Sequence, residues 1–171
     1  MIESHSTVRE GAIAGVIGAA VIAFWYFVLD LLAGRPLATP NAIAERMFGV
    51  GTSDAGNVGT LAVVTVVHTI VFVVFGTALA AMVHLAARDI AWRMGVLLAF
   101  VIGLGFFSGL GFAANMGDQG PVPAWKALGG GFVAIAAMSI YLWRSHPALA
   151  RSFADVPLGD ETDSVPHAPD R

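Results

Sequence analysis

The sequence predicts an all-α, polytopic membrane protein: four transmembrane helices in an antiparallel bundle, with a short amphipathic helix in the first outer loop. Two observations carry this. Four long apolar stretches, 11–32, 61–87, 90–115 and 122–143, fill most of the 171 residues, and each meets the about 20 apolar residues needed to cross the hydrocarbon core. Composition agrees, with 57% hydrophobic and 12% charged residues and a mean hydropathy of +0.76. In lipid every backbone polar group must be bonded internally, so such segments cross as helices. Helices joined by short turns run antiparallel.

The elements follow in order. Residues 1–8 form a short polar N-terminus. The first apolar stretch, preceded by Arg9, has about 22 residues, beyond the 7–15 of a signal-peptide core, and Leu31-Leu32-Ala33-Gly34-Arg35 makes a poor cleavage site. It is therefore expected to be retained as the first helix, ending at Asp30 and the Gly34-Arg35-Pro36 break, because proline cannot continue a helix comfortably. Thr39 is placed to cap a further helix, with Pro40 at its first position. Residues 41–48 then read as amphipathic, with Ala42, Ile43, Met47 and Phe48 apolar and Asn41, Glu45 and Arg46 polar. This helix is expected at the membrane surface over the bundle mouth, with Gly49, Gly51 and Gly56 forming the return.

The second stretch runs to Arg88 and Asp89, and a tight turn leads to the third, with Trp92 and Arg93 at its start and Asn115 near its end. Residues 116–121 make a turn, and the fourth stretch runs to Trp143 and Arg144. The organisation is thus a transmembrane domain over 1–146 and a tail over 147–171. The tail carries four prolines, five acids and little apolar content, a composition that is disordered in isolation and can fold on a partner.

Orientation comes from the distribution of cations. With the N-terminus inside, Arg9, Arg88, Arg93, Arg144 and Arg151 lie within, against Arg35, Arg46 and Lys126 outside. The positive-inside rule then puts both termini in the cytoplasm. Trp25, Tyr26, Trp92, Trp125, Tyr141 and Trp143 fall towards helix ends, as interfacial anchors do. Arginine outnumbers lysine eight to one and Ala, Gly and Val abound, a coding bias of GC-rich bacterial genomes. The expected location is the bacterial cytoplasmic (inner) membrane.

Several function classes are excluded. The chain has no cysteine, so disulfides, thiol catalysis and cysteine-held metals are out. Net charge is -3, without the clustered Lys and Arg of a nucleic-acid surface. The run Gly129-Gly130-Gly131 lacks the Lys-Ser/Thr of a phosphate loop and reads as packing. No nucleophile stands beside a base in a recognisable spacing.

Small residues recur at four-residue steps: Gly11, Gly15, Ala19 and Ala23; Ala14 and Gly18; Gly105 and Gly109; Gly130 and Ala134. In lipid, helices associate through such close-approach strips, which are expected to face neighbouring helices or another protein.

Ionisable groups inside a membrane are functional candidates. His68 lies well within the second stretch, with Thr65 and Thr69 beside it to bond its ring. Asp30, Asn115 and Asp118 lie towards the same outer face. Asp30, His68 and Asn115 are expected to converge beneath the amphipathic helix, with Asp118 completing a possible polar or ion site. A haem bound by two histidines is not expected. His68 and His84 are sixteen residues apart, roughly 160° round the helix and so on opposite faces. His146 lies within reach of His84 but at the exit of the last helix. No metal and no cofactor are expected.

The segment Ala14-Gly15, Gly18-Ala19-Ala20, Ala23-Phe24-Trp25 and Asp30, followed by Gly34-Arg35-Pro36-Leu37-Ala38-Thr39-Pro40, resembles a group of uncharacterised bacterial four-helix integral membrane proteins. It covers about a sixth of the chain and rests on a G-x-P-x-x-T-P loop. The resemblance implies a four-helix architecture and no activity.

The expected function is that of a non-enzymatic membrane protein in the lipid bilayer. It would act as an oligomer or as an accessory subunit of a larger membrane complex, with self-association or other membrane subunits as partners. The alternative is a small proton- or ion-linked transporter using Asp30 and His68.

Overall fold

The computed structural model describes residues 2–49, 58–88, 93–113 and 123–147. Among these, five helices and no strand are present: α1 Ile2–Leu32, α2 Ala38–Phe48, α3 Val58–Arg88, α4 Arg93–Ala113 and α5 Ala124–Ser145. Among the described residues three segments, Ser6–Leu32, Leu61–Ala86 and Trp125–Ser145, are long and apolar enough to cross a membrane. The outer face of the molecule is correspondingly apolar. Phe24, Val66, Ile70, Val74, Val101, Ile102 and Phe132 are all exposed, a surface suited to lipid and not to water.

The helix α1 starts at Ile2 and not at Gly11. Residues 2–10 contain no proline or glycine, and extending a formed helix costs far less than nucleating one. The polar N-terminus is therefore continuous with the first span, which puts Glu10 on a helix.

The exit of α1 is a Schellman turn. Gly34 adopts φ 68°, Gly34 N–H donates to Leu31 and Arg35 N–H donates to Asp30, satisfying carbonyls that a helix end leaves open. Leu37 then takes φ 70°, an unusual left-handed conformation for a branched side chain, and α2 begins. Gly49, at φ 62°, ends α2 by donating its N–H to Glu45.

The core of the bundle is where α1, α3 and α5 meet. Along α1, Gly11 lies against Gly76 and Thr77, Gly15 against Phe72 and Val73, and Gly18 against Met138 and Phe72. The contacts descend α3 as they climb α1. They descend α5 in the same way, from Met138 opposite Gly18 to Gly129 and Gly130 beneath Trp25. Ala14, Ala19, Ile22, Phe72, Ala134 and Met138 are buried at these junctions.

A Cβ on Gly15 would sit 2.5 Å from the Val73 Cα. The two backbones are thus in contact with no side chain between them, which is how helices gain packing energy in lipid. Gly103 of α4 instead lies under the Phe75 ring, and a Cβ at Gly105 or Gly109 would meet nothing within 4 Å among the described residues. An open apolar groove of about 310 Å³ lies between α4 and α5, lined by Phe100, Leu104, Phe132, Ile135 and Ser139 among others.

Candidate functional site

The candidate polar residues fall at three levels of the bundle. At the α2 end, Asp30 is 2% exposed and Thr39 4% exposed. The Thr39 N–H donates to Asp30 Oδ2 at 2.6 Å and the Thr39 hydroxyl to Asp30 Oδ1 at 2.8 Å. Lys126 Nζ stands 3.9 Å from Asp30 Oδ1. Thr39 therefore does not cap α2 with its own hydroxyl, as its position suggested. It is the second helical residue, and Leu37 occupies the cap without a side-chain bond.

The capping acceptor comes from the end of α1. A carboxylate receiving an N–H of the first turn satisfies an orphan donor and complements the positive end of the helix dipole. Asp30 thus fixes α2 to α1, and Lys126 brings the start of α5 to the same point. Trp25 adds a second tie, its Nε1–H donating to the Lys126 carbonyl at 3.1 Å. The G-x-P-x-x-T-P loop has a physical content: Gly34 for the left-handed turn, Thr39 for the double bond to Asp30, and Pro40 where helix N–H groups have no internal partner.

Near the middle of the molecule, His68 of α3 faces the backbone of Ala19 and packs against Phe72, with tilted rings whose centroids are 4.7 Å apart. Its Nε2 is buried with no partner among the described residues. The Thr65 and Thr69 hydroxyls do not turn to it, since they donate to the Leu61 and Thr65 carbonyls of their own helix. Asp30 lies about 16 Å further along α1 than Ala19, at 1.5 Å rise per residue. The structure therefore does not bring Asp30 and His68 together. Asn115 and Asp118 lie outside the described residues, as does the tail from residue 148.

At the opposite end, where α1 begins, three groups meet that were not singled out as a set. His84 Nε2 lies 2.9 Å from Glu10 Oε2, and His146 Nε2 lies 3.5 Å from the same oxygen. The two imidazoles sit edge to face, with centroids 4.7 Å apart. His146 is held by its other nitrogen, Nδ1, at 3.0 Å from the Leu142 carbonyl. Sequence reasoning identified the reach of His146 to His84 but missed Glu10, because it stood outside the expected helix. A helix continued back by one residue would have put Glu10 one turn before Ala14, on the face packed in the core.

Chemically, the Asp30 cluster is saturated by Thr39 and Lys126 and reads as a structural joint. The Glu10 cluster presents one oxygen and two nitrogens to a common point. No family model matches the chain, and comparison with curated proteins and with solved structures finds no significant similarity.

Proposed function

We propose that this chain is a non-enzymatic integral membrane protein of the bacterial inner membrane. It has four transmembrane helices in an antiparallel bundle and both termini in the cytoplasm, and works as an oligomer or as an accessory subunit of a larger membrane complex. A four-helix architecture is also what the resemblance of the first loop implies. The observation that carries the role is the outward placement of Gly105 and Gly109. Both are exposed, and a Cβ at either meets nothing within 4 Å. Glycines at this spacing allow backbones to touch; among the described residues Gly11 and Gly15 are used that way and Gly105 and Gly109 are not. Their face of α4, beside the groove shared with α5, suits a helix from another polypeptide.

The test is the mass of the protein extracted in mild detergent. The wild type is expected above the monomer mass, alone or with a co-purifying membrane subunit. Gly105→Leu with Gly109→Leu is expected to release the monomer while leaving thermal unfolding of the bundle unchanged. A wild type that runs as a lone monomer would refute the reading.

Orientation has a separate check, made clean by the absence of native cysteine. Ala33→Cys, on the exposed turn after α1, is expected to react with an impermeant thiol reagent from the periplasmic side only. Labelling from the cytoplasm alone would invert the topology.

A further inference from the structure

We propose that Glu10, His84 and His146 form a binding site for one divalent transition-metal ion of the zinc class. The site joins the first turns of α1, the last turns of α3 and the exit of α5. The three donor atoms, one carboxylate oxygen and two imidazole nitrogens, lie within 4.8 Å of one another. Zinc takes nitrogen at about 2.0–2.1 Å in a tetrahedral shell, which sets neighbouring ligand atoms about 3.3 Å apart. The separations of 2.9 and 3.5 Å from Glu10 to the two imidazole nitrogens bracket that spacing. Drawing the whole set in is a matter of ring and carboxylate rotation, because all three side chains are partly exposed, at 28%, 27% and 14% for His84, Glu10 and His146.

The tautomer of His146 supplies an independent argument. Its Nδ1 faces the Leu142 carbonyl at 3.0 Å, and a carbonyl only accepts, so Nδ1 carries the proton. In the neutral ring Nε2 then has a bare lone pair, aimed at a carboxylate oxygen 3.5 Å away. Two electron-rich atoms facing each other call for a cation between them. An imidazole that donates one N–H to a backbone carbonyl and offers the other nitrogen outward is the usual dress of a metal-ligating histidine. The competing occupant is a second proton on His146, which would make the cluster a plain ion pair.

The position favours ion access. His84 is about 16 Å from the midpoint of the Leu61–Ala86 span, at 1.5 Å per residue, which is the edge of a hydrocarbon core about 30 Å thick. An ion could arrive from water without crossing lipid. With three protein ligands the fourth position stays open to water or a small anion, as in zinc sites of the two-histidine, one-carboxylate type.

The experiment uses the full chain, purified with a histidine-free tag and stripped with a chelator. Titration with Zn²⁺ is expected to give one bound ion per chain and a rise in melting temperature with zinc concentration, because a ligand that binds only the folded state stabilises it. His84→Ala, His146→Ala and Glu10→Gln are each expected to weaken binding by at least about 100-fold, since even outer partners of metal ligands are worth about 10–100-fold. His5→Ala with His167→Ala is expected to change nothing. Co²⁺ on the wild type alone is expected to give the visible bands of a four-coordinate ion, displaced by Zn²⁺, a readout that no variant's folding can confound. Absence of those bands, or zinc retained at full affinity by the Glu10→Gln, His84→Ala, His146→Ala triple variant, would overturn the proposal and leave a protonated histidine pair in its place.

Discussion

Gly15→Ala is expected to destabilise the bundle by about 3 kcal/mol, the upper end of the range for over-packing, and Gly15→Leu to prevent it from forming. The added Cβ would lie 2.5 Å from Val73 Cα and 2.7 Å from the Phe72 carbonyl carbon. Both obstacles are backbone, so no side chain can swing aside and α1 must lift off α3 over its whole contact. The same lift would loosen Gly11 from Thr77 and remove Phe72 from the core. Thermal unfolding in detergent measures the loss, with Gly105→Ala as a control that should leave the melting temperature unmoved. If Gly15→Ala melted with the wild type, the close α1–α3 approach would be wrong.

Asp30→Ala is the second large expected effect, at about 3–5 kcal/mol, the range for removing one partner of a buried charge pair. It strands two buried donors on Thr39 and leaves Lys126, with a side chain 17% exposed, facing no carboxylate there. A buried donor without an acceptor costs about 1–3 kcal/mol by itself. Asp30→Asn keeps one acceptor oxygen and should cost less. Thr39→Val, which removes the hydroxyl and keeps the N–H, should cost less again. Hydrogen exchange would localise the damage: α2 amides should lose protection before those of α3. Uniform loss across all helices would argue against a capping role for Asp30.

What the sequence disclosed and what it withheld divide along physical lines. Helix and membrane character were legible because the apolar runs are long and lipid leaves the backbone no alternative. Helix ends were less so, since nothing in residues 2–10 stops a helix and polarity was read there as its end. Small residues announced which positions permit close approach, but not which neighbour uses them. The best-formed pair by spacing, Gly105 and Gly109, packs on nothing among the described residues. Gly76, a single glycine in a valine-rich run, receives the backbone of α1. The local tie of Asp30 to Thr39 spans nine residues, and both residues were in the segment that carries the resemblance. Its logic was not, because a threonine before a proline looks like its own cap. The Glu10–His84 contact spans 74 residues, and only the register of α1 against α3 reveals it.

The uneven fit of the helices also bears on how the molecule is made. Synthesis delivers the chain N-terminus first, so α1 and α3 are both available, with their glycine-to-backbone contacts, before α5 exists. The helix α4 is made after α3, yet packs most on α5, the last of the described helices, and at Gly103 meets α3 through the Phe75 ring. During translation α4 is therefore a helix whose main partner among the described helices arrives after it. On the proposed reading, in which the Gly105 and Gly109 face receives another polypeptide, that face is available before α5 arrives, and assembly would accompany biogenesis instead of following it.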